Sequence, residues 1–298
     1  MNRNVNQQTV RKAKAALIFS MVIFGSVGIL VHYIPLPSSV IAFSRALFGG
    51  LFLYVITRLR RIPLSREQLR KNAKLLVLSG ALLGFNWIFL FTSFKYTTVA
   101  VASICYYMAP IFVVLLSPFL FQEKLGPVKI LAVAMAFAGT VLVSGLLQNQ
   151  GVVNPLGVMY GLLAAVLYAG VLICNKKLQN LSAFESTIGQ LASAAVVLAV
   201  YILGNEAWWA LSCTPFQFLL LMILSLFVTG FTYALFFGSM PYLPAQTVAI
   251  YTYIDPILAV LLSALALHEP LTLEIIAGGI LILGATALTE FATQRSLS

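Results

Sequence analysis

Apolar residues run through this chain in blocks of about 20, cut by short polar or Gly/Pro-bearing segments. A block of that length suits a helix crossing a bilayer, where each backbone N–H and C=O must be satisfied within the segment. Ten such spans are predicted, at 14–34, 38–57, 75–94, 97–121, 126–147, 155–175, 183–203, 216–238, 243–267 and 272–291. The connections are too short for a separate soluble domain. The longest, 58–74 (RLRRIPLSREQLRKNAK), is basic and is expected to run along the headgroups. The fold class read from this pattern is an all-α polytopic membrane protein.

One stretch occurs twice. Residues 94–125 (FKYTTVAVASICYYMAPIFVVLLSPFLFQEKL) slide onto 240–271 (MPYLPAQTVAIYTYIDPILAVLLSALALHEPL) by a constant shift. Tyr96 then meets Tyr242, Tyr107 meets Tyr253, Pro110 meets Pro256, Ser117 meets Ser263 and Glu123 meets Glu269. Extended without gaps over 84–142, the match reaches about thirty per cent identity and adds Gly84 on Gly230 and Thr140 on Thr286. Chance matching of apolar sequence explains Leu and Val pairs but not these. The chain therefore divides into two homologous five-span halves, 1–147 and 148–298.

Composition agrees with the pattern: 61% hydrophobic and 9% charged, with mean hydropathy +0.99. The net charge of +10 does not call for a nucleic-acid partner, because the cations are confined to short loops. Of the 18 Lys and Arg residues, all but Lys95 and Arg45 fall on one face if the spans alternate. Lys and Arg are retained in the cytoplasm, so both termini are expected there, in a cytoplasmic membrane. Five spans is an odd number, so the second half must enter the membrane from the opposite side. Inverted repeats of this kind house a substrate site between the halves near the midplane. No cleavable leader is read at the N-terminus; the first apolar block is too long. Cys105, Cys174 and Cys213 lie apart, with neither metal-ligand nor disulfide spacing.

The repeated proline-centred span closing in Glu-x-Leu (Glu123-Lys124-Leu125 and Glu269-Pro270-Leu271), each copy followed by a small-residue helix (136–145 and 278–287), resembles the EamA-type branch of the drug/metabolite transporter superfamily. The Phe24-Gly25-Ser26 step and Arg45 also resemble family positions. The likeness implies a ten-helix exporter of amino acids, other metabolites or drugs, with a central cavity lined by spans 1, 3, 4, 6, 8 and 9.

Asp255 is the most informative side chain. An ionisable group near the centre of a span costs at least ~2.5 kcal/mol by insertion scales, and such residues are functional or paired. It could bind a substrate ammonium or the coupling proton; equally, it could form an ion pair with Arg45, the one cation set away from the ends of a predicted span. Its counterpart in the first half is Ala109. Thr247, Tyr251 and Asp255 share a helical face, whereas Tyr253 lies about 200° from Asp255 around a regular helix. Ser79, Asn86 and Ser93 form a second polar strip, and Ser225, Thr229, Thr232 and Phe236 a third. Such strips face protein or a cavity rather than lipid.

Mid-membrane aromatics extend the candidate substrate-binding set, which comprises Ser26, Ser79, Asn86, Trp87, Tyr107, Tyr168, Thr232, Tyr233, Tyr251 and Asp255. Trp87 and Tyr233 are equivalent in the two halves and are expected to wall the cavity from opposite sides. Tyr33, Tyr54, Tyr201, Trp208, Trp209 and Tyr242 suit the interfacial belt. Pro110 and Pro256 each remove a backbone hydrogen bond mid-span and form a matched pair of hinges or static kinks. Glu123 and Glu269 are placed to cap the helices that follow them, and Lys95 to snorkel.

The expected function is secondary transport of a small polar or amphipathic metabolite, foremost an amino acid, with proton coupling at Asp255. The expected partners are that substrate and the bilayer; no cofactor or metal is implied, and the protein acts as a monomer or homodimer. A lipid translocator is a second reading. An intramembrane enzyme would need paired aspartates, a His-rich set or a Ser/Lys dyad, and the spans offer a single aspartate.

Overall fold

The computed structural model describes residues 7–121, 126–144, 153–205 and 212–295, and among these it contains helix and no strand. We label the principal helices α1 (Gln7–His32), α2 (Ser38–Leu59), α3 (Ala73–Tyr96), α4 (Val99–Leu120), α5 (Pro127–Val143), α6 (Pro155–Lys177), α7 (Ala183–Asn205) and α8 (Pro215–Tyr242). α9 comprises Ala245–Thr252 and Ile254–Ala266, and α10 runs Leu273–Arg295. Seven of these, α1–α4 and α6–α8, are long and apolar enough to cross a membrane. The sequence pattern predicts full-length spans throughout, but the apolar runs of α5, α9 and α10 are shorter, at 10–17 residues. Glu123, Trp208 and Trp209 lie outside the described residues.

The helices start where side chains can take up the free N–H groups of the first turn. Thr98 Oγ1 accepts from Val101 N at 3.2 Å at the head of α4, and Asn154 Oδ1 accepts from Leu156 N at 2.9 Å at the head of α6. Ser182 and Glu185 form a reciprocal box at α7: Ser182 Oγ accepts from Glu185 N at 3.2 Å, and Glu185 Oε2 accepts from Ser182 N at 2.8 Å. The other oxygen of Glu185 accepts from Ser65 N at 2.6 Å, tying down the basic 58–74 connection, whose own short helix spans Arg66–Lys71.

The proline-bearing spans are not single kinked helices. α4 is interrupted at Tyr107–Met108 and resumes at Ala109; α9 is interrupted at Tyr253 and resumes at Ile254. Pro110 and Pro256 therefore sit in the first turn of a new helix, where the missing N–H has no partner to lose. This corrects the expectation of a proline placed mid-helix.

Contacts between the halves follow an exchange rule. α1 packs on α8 and α9, while its counterpart α6 packs on α3 and α4; α2 packs on α8, while α7 packs on α3. The pairs α4–α9 and α5–α10 join equivalent helices directly. The α5–α10 crossing is close: a Cβ on Gly139 would stand 2.7 Å from Gly278 O, and one on Gly278 would stand 2.6 Å from Gly139 O. In a bilayer lipid tails are as apolar as side chains, so association depends on such close backbone approach and on interhelical hydrogen bonds. α3 supplies the hydrogen bonds, with Asn86 Nδ2 donating to Ala164 O and Ser93 Oγ to Gly157 O, both at 2.6 Å.

Glu269 does not cap the helix that follows it. Its two oxygens accept from Val99 N at 2.9 Å and Ala100 N at 3.3 Å, so it caps α4 in the other half. Lys95 Nζ donates to Leu36 O at 2.6 Å rather than only snorkelling.

Candidate functional site

Helices of both halves enclose a cavity of about 590 Å³. Its walls come from α1 (Phe24, Gly25), α3 (Trp87), α4 (Tyr106, Tyr107), α6 (Tyr168), α8 (Tyr233, Phe236) and α9 (Tyr253, Asp255). α2 contributes Arg45 and α10 contributes Thr286 and Thr289, two helices that the expected lining does not include.

The two helix breaks supply the polar floor. At each, the chain turns between helical segments, so consecutive side chains Tyr106 and Tyr107, and Thr252 and Tyr253, all reach the cavity. A continuous helix would have sent Tyr253 away from Asp255; the break brings both to one wall. The same break takes Tyr251 off it. Tyr107 donates from its hydroxyl to Asp255 Oδ2 at 2.6 Å. Thr286 Oγ1 donates at 3.2 Å to the Tyr107 carbonyl, a group the interruption of α4 leaves without a regular helical partner.

Arg45 is held by a second pair of irregular segments. Residues Arg45–Gly49 of α2 and Ile223–Phe231 of α8 are π-helical, and the two pack against each other. Insertions of this kind concentrate at functional positions. Arg45 Nε donates to Thr229 Oγ1 at 2.9 Å, and Thr229 in turn donates to Leu224 O, five residues back, at 3.0 Å. The Arg45 Cζ lies over the rings of Trp87 and Phe91, 4.4 Å and 5.3 Å from their centroids. Arg45 is only 4% exposed, so these ring contacts act on a desolvated cation, where they are strongest.

Arg45 and Asp255 do not form the ion pair that their charges allow: no side-chain nitrogen of Arg45 lies within 4.0 Å of an Asp255 oxygen. Both line the same cavity instead. Around them stand two groups of aromatic rings, one with the Phe24 and Tyr233 centroids 5.3 Å apart and one with those of Tyr106 and Tyr168 5.2 Å apart.

Of the residues singled out in the sequence, Arg45, Trp87, Tyr107, Pro110, Tyr168, Tyr233 and Asp255 line the cavity. Ser26, Ser79, Asn86, Thr232, Tyr251 and Pro256 do not. Ser26 and Ser79 donate to Ile23 O and Leu76 O of their own helices, at 2.7 and 3.2 Å. Thr232 donates to Phe227 O at 3.0 Å. Asn86 sits in the α3–α6 seam, its Nδ2 bound to Ala164 O at 2.6 Å. A seven-residue polar repeat thus marks a helix–helix seam here, not a pore wall. Thr252, Thr286 and Thr289 also line the cavity and were not foreseen; only Thr286 carried a signal, its alignment with Thr140.

A polytopic helical protein with a mixed aromatic and charged cavity between two packed halves defines a membrane transporter class. The EamA-like transporter family model matches residues 12–145 and again 155–291, and the chain belongs to that family. A relative from Bacillus subtilis (strain 168) described as uncharacterized transporter YxxF is 28% identical over 98% of this chain and 93% of its own. A protein of Rickettsia prowazekii (strain Madrid E) named S-adenosylmethionine uptake transporter is 25% identical over 74% of this chain and 73% of its own. A solved crystal structure, 19% identical, superposes with a TM-score of 0.65 over 96% of this chain and 99% of that one, a likeness of fold.

Proposed function

We propose that the protein is a secondary active transporter that moves a small amphipathic metabolite, foremost an amino acid or a molecule bearing an amino-acid end, by alternating access. The observation that carries this reading is a cavity bounded by helices of both halves and floored by the two helix breaks at Tyr107–Met108 and Tyr253. Exchanging the conformations of the halves would move the opening from one face to the other. Pro110 and Pro256, each opening the helix after a break, are the proposed hinge positions.

Ten membrane spans in two inverted repeats, with both termini cytoplasmic, complete the proposal; the one-sided distribution of cations supports it. Finding a C-terminal tag outside the cell would overturn that orientation. Export is the proposed direction and rests on the family resemblance. The named Rickettsia relative makes uptake the arm to test beside it, and S-adenosylmethionine a substrate to include, since it carries an α-amino-acid end.

Counterflow into liposomes containing the purified chain, against amino acids and S-adenosylmethionine, tests the function. Exchange of at least one of them is expected; exchange of none removes the amino-acid reading of the substrate. Proton coupling is proposed at Asp255. Asp255→Asn is expected to remove stimulation by a proton gradient, and retained stimulation would place coupling elsewhere.

A further inference from the structure

The cavity holds one cationic and one anionic side chain, and each has bonding capacity that the protein does not use. Arg45 gives its Nε to Thr229, and among the described residues neither Nη atom has a hydrogen-bond partner. The Arg45 guanidinium has its carbon over the rings of Trp87 and Phe91. Its edge, carrying both Nη groups, is the part left to a ligand. That edge matches the two oxygens of a carboxylate. Asp255 accepts from Tyr107 through Oδ2, and among the described residues Oδ1 has no partner. The two groups belong to different halves, line one cavity and stay more than 4.0 Å apart.

We infer that Arg45 and Asp255 are opposed anchors that select zwitterions: the guanidinium edge takes the substrate's carboxylate and Asp255 Oδ1 takes its cationic group. This rests on the transport reading above. The physical reason is charge balance in a site surrounded by helices and lipid. A ligand with a single charge satisfies one anchor and leaves the other desolvated without compensation, whereas a zwitterion satisfies both. An Arg45 serving only to join α2 to α8 would direct its Nη groups at carbonyls of those helices. Because Ala109 stands where the repeat would place a second Asp255, the anchors are not duplicated and the substrate has one orientation. The aromatic wall of Phe24, Tyr106, Tyr168 and Tyr233 then meets the rest of the molecule.

The test uses the full chain in liposomes. The zwitterion that exchanges best among the twenty protein amino acids and S-adenosylmethionine is compared with its decarboxylated, deaminated and N-trimethylated derivatives. Loss of either charge is expected to weaken competition by about tenfold or more. In Arg45→Gln the decarboxylated derivative should lose its disadvantage, and in Asp255→Asn the deaminated one should. The trimethylated derivative separates a hydrogen-bonded ammonium, which it would replace poorly, from a cation held by charge and aromatic rings, which it would replace well. Equal competition by the zwitterion and its single-charge derivatives in the unaltered protein overturns the inference while leaving transport intact, and needs no variant to fold. Exchange of single-charge compounds with no exchange of zwitterions does the same. Exchange of nothing removes this inference together with the amino-acid reading of the substrate.

Discussion

The hydroxyl of Tyr107 donates to Asp255 Oδ2 at 2.6 Å, joining the break in α4 to the break in α9 across 148 positions of sequence. It is one of the polar bridges between the two halves at the cavity, beside Thr286 Oγ1 on the Tyr107 carbonyl. Hydrogen bonds to charged groups contribute roughly 1.5–3 kcal/mol. Tyr107→Phe keeps the ring and removes the donor. Counterflow by this variant is expected to show an apparent affinity about tenfold weaker, and its melting temperature in detergent should fall as a carboxylate oxygen inside the protein loses its donor.

Arg45 and Thr229 form the corresponding link between the π-helical segments of α2 and α8. Thr229→Val would leave Nε of a buried guanidinium without its acceptor, a loss of about 1–3 kcal/mol. A lowered melting temperature is expected, and Thr229→Ser should restore it.

Asn86 and Trp87 are neighbours with opposite surroundings: the first lies in the α3–α6 seam and the second faces the cavity beneath Arg45. Trp87→Leu removes a cation–π contact of about 0.5–2 kcal/mol and should raise the apparent KM several-fold. Asn86→Leu should leave KM within about twofold, its effect appearing in stability through the lost hydrogen bond.

The α5–α10 crossing admits no side chain at Gly139, where a Cβ would meet Gly278 O at 2.7 Å. Gly139→Ala is expected to cost about 1–3 kcal/mol as the helices are forced apart. Gly126→Ala is the control, since among the described residues nothing lies within 4 Å of its Cβ position. Thermal unfolding of the two variants side by side checks the contrast.

Glu269 caps α4 from the opposite half through Val99 N and Ala100 N. Glu269→Gln weakens a charge-assisted cap, a change on the order of 1 kcal/mol. Faster hydrogen exchange at the head of α4 is the expected result, with α10, the next helix in sequence, unaffected.

How much of this was legible beforehand differs by kind of residue. The repeat located both helix breaks, because a proline and a tyrosine recurring at one spacing mark a backbone feature shared by two copies. It did not show that the helix stops and restarts, so a regular helical wheel put Tyr251 on the wall and Tyr253 off it. The polar strip at Ser79, Asn86 and Ser93 was legible as buried. Its partner was not, because Ala164 O and Gly157 O are backbone groups of α6 that no side-chain pattern reveals.

The sequence by itself determined the class of fold and the doubling. Lipid admits only backbone-satisfied helices of fixed length, and homologous halves preserve their proline and glycine positions. Tertiary structure alone decided which polar groups share a cavity. That depends on where the helices break and which ones cross closely, and the crossings rest on contacts between residues far apart in the chain, from 64 positions for Ser93 and Gly157 to 184 for Arg45 and Thr229. Arg45 and Asp255 illustrate the division. Their cost within the membrane is written in the chain, but only the packing of the halves shows them facing one cavity without touching.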